Sequence, residues 1–217
     1  MQNDLCFDMA FVMKRRGSQR AARTLLLAPL LLVCLFLASC SKPEFGGIDM
    51  TGADYARDFA LVDEHGASRS LADYRGKVVV LFFGYTHCPD VCPATLAQLA
   101  QARRMLGQDA GRVQVLFVTL DPQRDTPALL ARYTRAFDPT FVGLTGTEQQ
   151  IQVAAREFKV FFDKVPGAQP DSYSFDHSSG SFVFDPKGRI RLYLADRVTA
   201  EQIAPDLKRL LADAGSG

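Results

Sequence analysis

Residues 77–84, Lys-Val-Val-Val-Leu-Phe-Phe-Gly, form a continuous apolar run behind a single lysine, and this run constrains the fold of the chain more than any other stretch. A strand with one face in water alternates apolar and polar residues, whereas an unbroken apolar strand must be covered on both faces. The run therefore belongs in the middle of a sheet with helices above and below it. The flanking pattern agrees. A helix is predicted over 93–106, with apolar positions at Leu96, Leu99 and Met105, followed by a second apolar strand at 113–120.

The alternation continues with a helix at 126–137 that has Pro127 in its first turn, a short strand near Phe141 and a helix from Thr147. Thr147 with Gln150, and Thr199 with Gln202, have the capping-box spacing. Strands at 182–184 and 190–194, joined by Asp185-Pro-Lys-Gly188, read as a hairpin before a terminal helix at 199–212. Upstream, 58–62 and 68–71 flank a turn at Asp63-Glu-His-Gly66 and form an N-terminal β-hairpin. This order of elements is that of a thioredoxin-like α/β fold, a central mixed sheet flanked by helices. The irregular stretch 165–174, with Pro166, Gly167 and Pro170, is long for a compact domain and is a candidate functional loop.

The first forty residues fix the compartment. Lys14, Arg15, Arg16, Arg20 and Arg23 precede an apolar run at 25–38 that ends in Leu37-Ala38-Ser39-Cys40. The run is shorter than the roughly 20 residues that cross a bilayer, and small residues sit just before the cysteine. This is an export signal whose end is similar to a bacterial lipobox, which implies cleavage before Cys40 and lipid on that residue. Several acyl chains anchor a protein stably, since each buried methylene contributes about 0.8 kcal/mol. An uncleaved signal anchor is the alternative, and either arrangement leaves the domain outside the cytoplasm. Asp4 and Asp8 ahead of the basic region make Met13 a better start than Met1, and Arg15-Arg16 lack the residues that should follow a twin-arginine pair. The expected organisation is a signal peptide at 1–39, a lipidated tether at 40–54 and one thioredoxin-like domain at 55–217. Residues 40–217 hold 20 Lys+Arg and 22 Asp+Glu, a balance that gives no sign of nucleic-acid binding.

Processing would remove Cys6 and Cys34 and commit Cys40 to lipid, leaving Cys88 and Cys92 in Gly84-Tyr-Thr-His-Cys-Pro-Asp-Val-Cys-Pro93. Two cysteines in an exported domain of this size point to chemistry more than to stapling, with a structural disulfide as the bland alternative. Spaced i, i+4 at a helix start, they share a face with β carbons about 5–6 Å apart. Unpaired backbone N–H groups there should lower a thiol pKa below its free value of about 8.5. A third ligand is then the question, and His177 is the leading candidate. It precedes the strand at 182–184, where a thioredoxin carries a cis-proline facing the cysteine-bearing helix; here the residues are Ser179-Gly-Ser181. Two thiolates and an imidazole suit Cu(I) and can also hold Cu(II) or zinc. Asp176 is placed to orient the His177 ring, and Asp90 to tune the charge near the thiolates. The chain direction turns His87 away from Cys88, and His65 lies in a solvated turn. Asp121, Arg124 and Asp125 are explained by a helix-start turn, with Asp125 or Thr126 as the cap. Phe82, Phe83, Phe117, Phe158, Phe182 and Phe184 read as core.

Four stretches together resemble the Sco/SenC family of copper-binding proteins: Gly84-Tyr-Thr-His-Cys-Pro-Asp-Val-Cys-Pro93, Thr119-Leu-Asp-Pro-Gln-Arg-Asp-Thr-Pro127, Phe158-Lys-Val160 and Asp176-His-Ser178. The resemblance runs over about residues 55–213. It implies a thioredoxin-like domain, copper ligands at Cys88, Cys92 and His177, and a role in assembling the binuclear copper centre of cytochrome c oxidase. The expected function is that of a membrane-anchored metallochaperone that binds one copper ion, as Cu(I) and/or Cu(II). Its expected partners are the copper domain of cytochrome c oxidase subunit II, a copper donor, a periplasmic thiol reductant and, through the lipid, a membrane. The alternative is a thiol-disulfide reductase with Cys88 attacking and Cys92 resolving. A peroxidase is disfavoured, because Thr86-His-Cys88 does not meet a Thr-x-x-Cys pattern. A lipid anchor departs from the transmembrane helix of many members. Ser41 points to the outer membrane, but an oxidase partner favours a periplasm-facing lipoprotein of the inner membrane.

Overall fold

The structure, a computed structural model, describes residues 45–169 and 172–213. The expected signal peptide, the lipidation site Cys40 and the first part of the tether lie outside the described residues, as do Cys6 and Cys34.

The described chain runs β1 (Ile48–Asp49), β2 (Leu61–Asp63), β3 (Ser68–Arg69), β4 (Val78–Gly84), α1 (Val91–Met105), β5 (Val113–Thr119), α2 (Pro127–Arg135) and β6 (Val142–Thr145). It continues with α3 (Glu148–Glu157), β7 (Phe162–Pro166), β8 (Tyr173–His177), β9 (Ser181–Phe184), β10 (Ile190–Leu194) and α4 (Ala200–Asp213). Eight strands form one mixed sheet in the order β1-β10-β9-β4-β5-β6-β2-β3, and β7 pairs with β8 in a separate two-stranded sheet. β4, β5 and β6 are parallel, while β9 runs antiparallel to β4.

The apolar run at 77–84 becomes β4 from Val78 onward, and all seven residues of the strand are buried. Strand alternation divides it between two cores. Val78, Val80 and Phe82 join Val113, Val115 and Phe117 of β5 beneath α1 and α4, with Leu96, Leu99, Leu207 and Leu210 in the same cluster. Val79, Leu81 and Phe83 turn to the other face and pack with Leu116, Val118, Ile151 and Phe158. Each fully buried Leu or Phe contributes about 1.5–3 kcal/mol, which makes this central pair of strands the rigid platform of the molecule.

Local signals set the helix ends. Thr126 caps α2 with Pro127 in the first turn, and Thr147 with Gln150 forms the capping box of α3. The Phe158-Lys-Val160 stretch is a helix stop: Val160 N–H donates to Ala155 O at 2.8 Å and Lys159 N–H to Arg156 O at 3.1 Å. Lys159 has φ 54°, so this Schellman turn uses a lysine where glycine is usual.

The structure departs from the sequence reading at four places. Helix α1 begins at Val91 rather than 93, and Met105 is 51% exposed, its expected place on the apolar stripe being taken by Ala100 and Ala102. The N-terminal hairpin forms, but only Leu61–Asp63 and Ser68–Arg69 pair. The irregular stretch 165–174 begins and ends in paired strand: Val165 and Pro166 end β7, and Tyr173 and Ser174 begin β8. Residues 45–54, assigned above to the tether, sit on the domain, where β1 adds to the edge of the sheet against β10.

Candidate metal centre

The C-terminal end of β4 is where the chemistry gathers. After Gly84 the chain turns through Tyr85, Thr86 and His87 into Cys88, and α1 starts three residues later. Cys88 therefore precedes the helix, and only Cys92 lies in its first turn, so the two do not share a helical face. Their proximity comes from the turn: Cys88 N–H donates to Tyr85 O at 3.2 Å, and Cys92 N–H donates to Cys88 Sγ at 3.4 Å. Cys92 is fully buried and Cys88 half-buried, and both are free thiols.

The environments drive the two thiols apart. Cys88 is lowered to about 5, first because the Cys92 thiol donates to its sulfur and then through the N–H groups of Cys92 and Asp90, against a burial penalty. Cys92 is pushed upward, because ionising it would break that donation and place a second charge in a buried site. One thiolate is thus ready at neutral pH while the other sulfur holds its proton.

His177 enters from the other side as the last residue of β8. Its Nδ1 lies 2.9 Å from Ser178 O; a carbonyl only accepts, so Nδ1 is the donor, and it is Nε2 that offers a lone pair when the ring is neutral. That Nε2 stands 3.8 Å from Cys92 Sγ. The ring is walled by Tyr85 and Phe82, at centroid distances of 6.0 and 6.4 Å. The donor atoms of Cys88, Cys92 and His177 all lie within 4.8 Å of one another. Atoms bound about 2.0–2.3 Å from a shared ion stand no more than about 4.6 Å apart, so a small contraction lets all three reach one metal. The donor set of two sulfurs and one nitrogen fits a soft ion.

The other candidates separate clearly. Asp176 is exposed and alternates away from His177 along β8, so the ring is oriented by the Ser178 carbonyl and not by Asp176. Asp90 is the N-cap residue of α1, with an exposed carboxylate that makes no cap bond, and it acts on Cys88 through its backbone N–H. His87 is half-exposed, its Nδ1 3.2 Å from Thr86 Oγ1 and 3.7 Å from Asp125. His65 is exposed beside Glu64.

Asp121, Arg124 and Asp125 do more than start a helix. Thr126 is the cap, and Asp125 is fully buried, accepting from Thr86 N at 3.0 Å, Thr86 Oγ1 at 2.5 Å and Thr119 Oγ1 at 2.6 Å. It grips the cysteine loop two residues before Cys88. Asp121, also buried, accepts from the Tyr173 hydroxyl at 2.9 Å. Two carboxylates within six residues of the end of the buried strand β5 were the signal for this role, since buried acids persist only with dedicated partners.

Fold and site together define a class: a thioredoxin-like domain with a soft dithiol-imidazole cluster at the mouth of its central strand. The chain belongs to the SCO1/SenC family, whose profile matches residues 49–212. It is 41% identical over 157 residues to the mitochondrial SCO2 homolog of Bos taurus, an alignment covering 71% of this chain and 59% of that protein. Thus the chain spans less than two thirds of that relative's length. Among solved structures it is similar to Bradyrhizobium japonicum ScoI with copper bound, at TM-score 0.63 and 36% identity over 70% of this chain and 97% of that one. It is likewise similar to apo Sco1 of Thermus thermophilus, at TM-score 0.70 and 37% identity over 79% of this chain and 99% of that one.

Proposed function

We propose that this protein is a membrane-anchored, extracytoplasmic copper metallochaperone. Cys88, Cys92 and His177 take one copper ion as cargo and pass it by ligand exchange to the copper domain of cytochrome c oxidase subunit II. The observation that carries the reading is the convergence of two sulfurs and an imidazole nitrogen within 4.8 Å. Two soft donors and one borderline donor match Cu(I), and the same set also accepts Cu(II). Three ligands leave a coordination position for an incoming ligand, and the half-buried Cys88 puts one of the three at the surface. The kinship with a Sco protein solved with copper bound supports the same cargo here. Anchoring belongs to this proposal: a signal peptide at 1–39, lipid on Cys40, and the domain facing the periplasm from the inner membrane. No helix of the described residues is long and apolar enough to cross a membrane.

The unequal thiols favour a second activity at the same site, reduction of a partner's disulfide. The Cys88 thiolate attacks one partner sulfur and forms a mixed disulfide while the other partner sulfur leaves as thiolate. Cys92 then gives up its proton and attacks Cys88 Sγ, releasing the second partner thiol and leaving a Cys88–Cys92 disulfide. Two electrons pass to the partner, and a periplasmic thiol reductant must restore them. The metal reading requires His177; this exchange does not.

The deciding experiment is copper stoichiometry and spectrum of the reduced, anaerobic full-length protein in detergent, wild type against His177→Ala. One copper per chain, sharply weakened in the variant, is expected. Stoichiometric copper retained in both Cys88→Ser and Cys92→Ser would sink the ligand assignment. No copper in wild type, with disulfide exchange untouched by His177→Ala, would leave the reductase.

A further inference from the structure

His177 reaches the sulfurs on an arm that cannot hold itself there. The β7–β8 hairpin is a two-stranded sheet outside the main one, and an isolated hairpin is at best marginally stable in water. Its floor is only partly packed: Phe162 and Phe175 touch the core, but a cleft of about 250 Å³ lies between Lys164 and Phe175 of the arm and Leu120, Asp121 and Ile151 of the body. Something must fix its angle if His177 is to face Cys92.

Alternation along β8 puts Tyr173, Phe175 and His177 on one face, the less exposed one. Phe175 packs edge-on against Tyr85 at 5.4 Å. Tyr173 is held more specifically. The guanidinium of Arg124 lies 3.5 Å from its ring centroid, and Lys164 Nζ lies 3.5 Å from the same centroid. Arg124 Nη1 donates to the Tyr173 carbonyl at 3.1 Å, and the Tyr173 hydroxyl donates to Asp121 Oδ1 at 2.9 Å. Arg124 is itself aligned by an ion pair with Asp121. From Asp121 the bonding continues to the cysteines: Asp121 N–H donates to Thr119 Oγ1 at 2.9 Å, Thr119 Oγ1 donates to Asp125, and Asp125 holds Thr86. One turn, 119–125, therefore grips both halves of the site.

We propose that Arg124 and Tyr173 form a clamp that sets His177 against the two sulfurs, making them positioning residues for metal capture. Neither belongs to the donor cluster. Releasing the ring of Tyr173 lets the arm swing and withdraws the imidazole while the sulfurs stay on the rigid platform, which provides a route for His177 to leave first when cargo is handed on. This inference rests on the copper reading for its consequence and on the apo geometry for its mechanism.

The test is a double-mutant cycle on the full-length protein in detergent. Cu(I) affinity is measured by competition with a chromogenic chelator for Arg124→Gln and Tyr173→Phe, each alone and combined with His177→Ala. Loss of a residue that orients a ligand typically weakens metal binding about 10–100-fold. A loss of at least about tenfold is expected for Arg124→Gln with His177 present, shrinking below about twofold once His177 is alanine. Tyr173→Phe keeps the ring and removes only the hydroxyl, so it serves if Arg124→Gln fails to fold, with a smaller loss of the same dependence. In the metal-free protein, amide exchange at 173–177 should quicken while that of β4 and β5 holds. Equal losses with and without His177, or no loss in the folded variants, would overturn the clamp. If wild type takes no copper, the copper reading fails, and the exchange data alone judge the clamp: unchanged exchange at 173–177 overturns it.

Discussion

A thiolate at neutral pH needs a reason, and Cys88 has three within hydrogen-bond reach: the Cys92 thiol, the Cys92 N–H and the Asp90 N–H. An acid whose pKa is lowered to about 5 is ionised at all higher pH, so its thiolate fraction falls only as pH drops through that value. Carboxymethylation of Cys88, followed by mass spectrometry, should therefore stay on a plateau from pH 8 down to about 6 and decline with a midpoint near 5. Cys92 should remain unmodified across the range, being buried and raised. A midpoint for Cys88 near 8.5, the value of a free thiol, would refute this account of the pair. The sequence already held the two sulfurs and the imidazole, because few cysteines in an exported domain narrow the choice. It held less of what aims them. Asp90 and Asp176 stand out as charges close in sequence to the candidate ligands, yet backbone groups do the orienting, and backbone groups leave no trace in residue identity.

Elements differ in legibility for a related reason. Strands β4 and β5 are buried on both faces and announce themselves as apolar runs; α2 and α3 carry their caps in Thr126 and Thr147. Strand β7 is mostly exposed and ends in Pro166, and β8 alternates over only five residues, Tyr-Ser-Phe-Asp-His, outside the main sheet, so no apolar run marks either strand. Sequence alone therefore reads 165–174, the run-up to His177, as a loop. Where β4 ends, Gly84 shows how tightly element and site are joined. A β carbon there would stand 2.7 Å from Cys92 Sγ and 2.9 Å from Phe117 Cε2, both fully buried. Overpacking a closed core costs about 1–3 kcal/mol, so Gly84→Ala should lower the urea midpoint accordingly without changing the m-value. It should also push the Cys92 sulfur off position and weaken copper binding. A variant as stable as wild type with unaltered copper affinity would show that the site tolerates movement of Cys92, contrary to the packing seen here.

At the scale of the whole molecule, two cores on opposite faces of one sheet hold the site at the end of the central strand, and the sheet must be closed at its edges. The β10 edge is covered by β1, which belongs to the segment that composition marks as tether. Gly46 and Gly47 are low in apolar content but give close backbone approach: a β carbon on Gly47 would meet Leu194 Cδ2 at 2.8 Å. Their N–H groups donate to the two carboxylate oxygens of Asp206, at 3.1 and 2.9 Å, and Asp206 is 3% exposed on α4. Phe45 completes the seat with the Arg209 guanidinium 4.9 Å from its ring centroid. Glycines chosen for approach look the same in sequence as glycines chosen for flexibility, so composition alone assigns this strand to the tether. Removing the acceptor separates the two meanings. Asp206→Ala leaves the buried Gly47 N–H without its partner, while the exposed Gly46 N–H can turn to water, a loss of about 1–3 kcal/mol. Urea unfolding should show that loss, and amide exchange of residues 46–50 should rise toward the rate of an open chain while β4 and β5 stay protected. Because the seat is remote in the hydrogen-bond network from Thr86, Asp125 and Tyr173, copper affinity should hold within about twofold. Unchanged protection of residues 46–50 in the variant would mean that strand pairing with β10 alone holds the segment, and that the buried carboxylate is not what closes this edge.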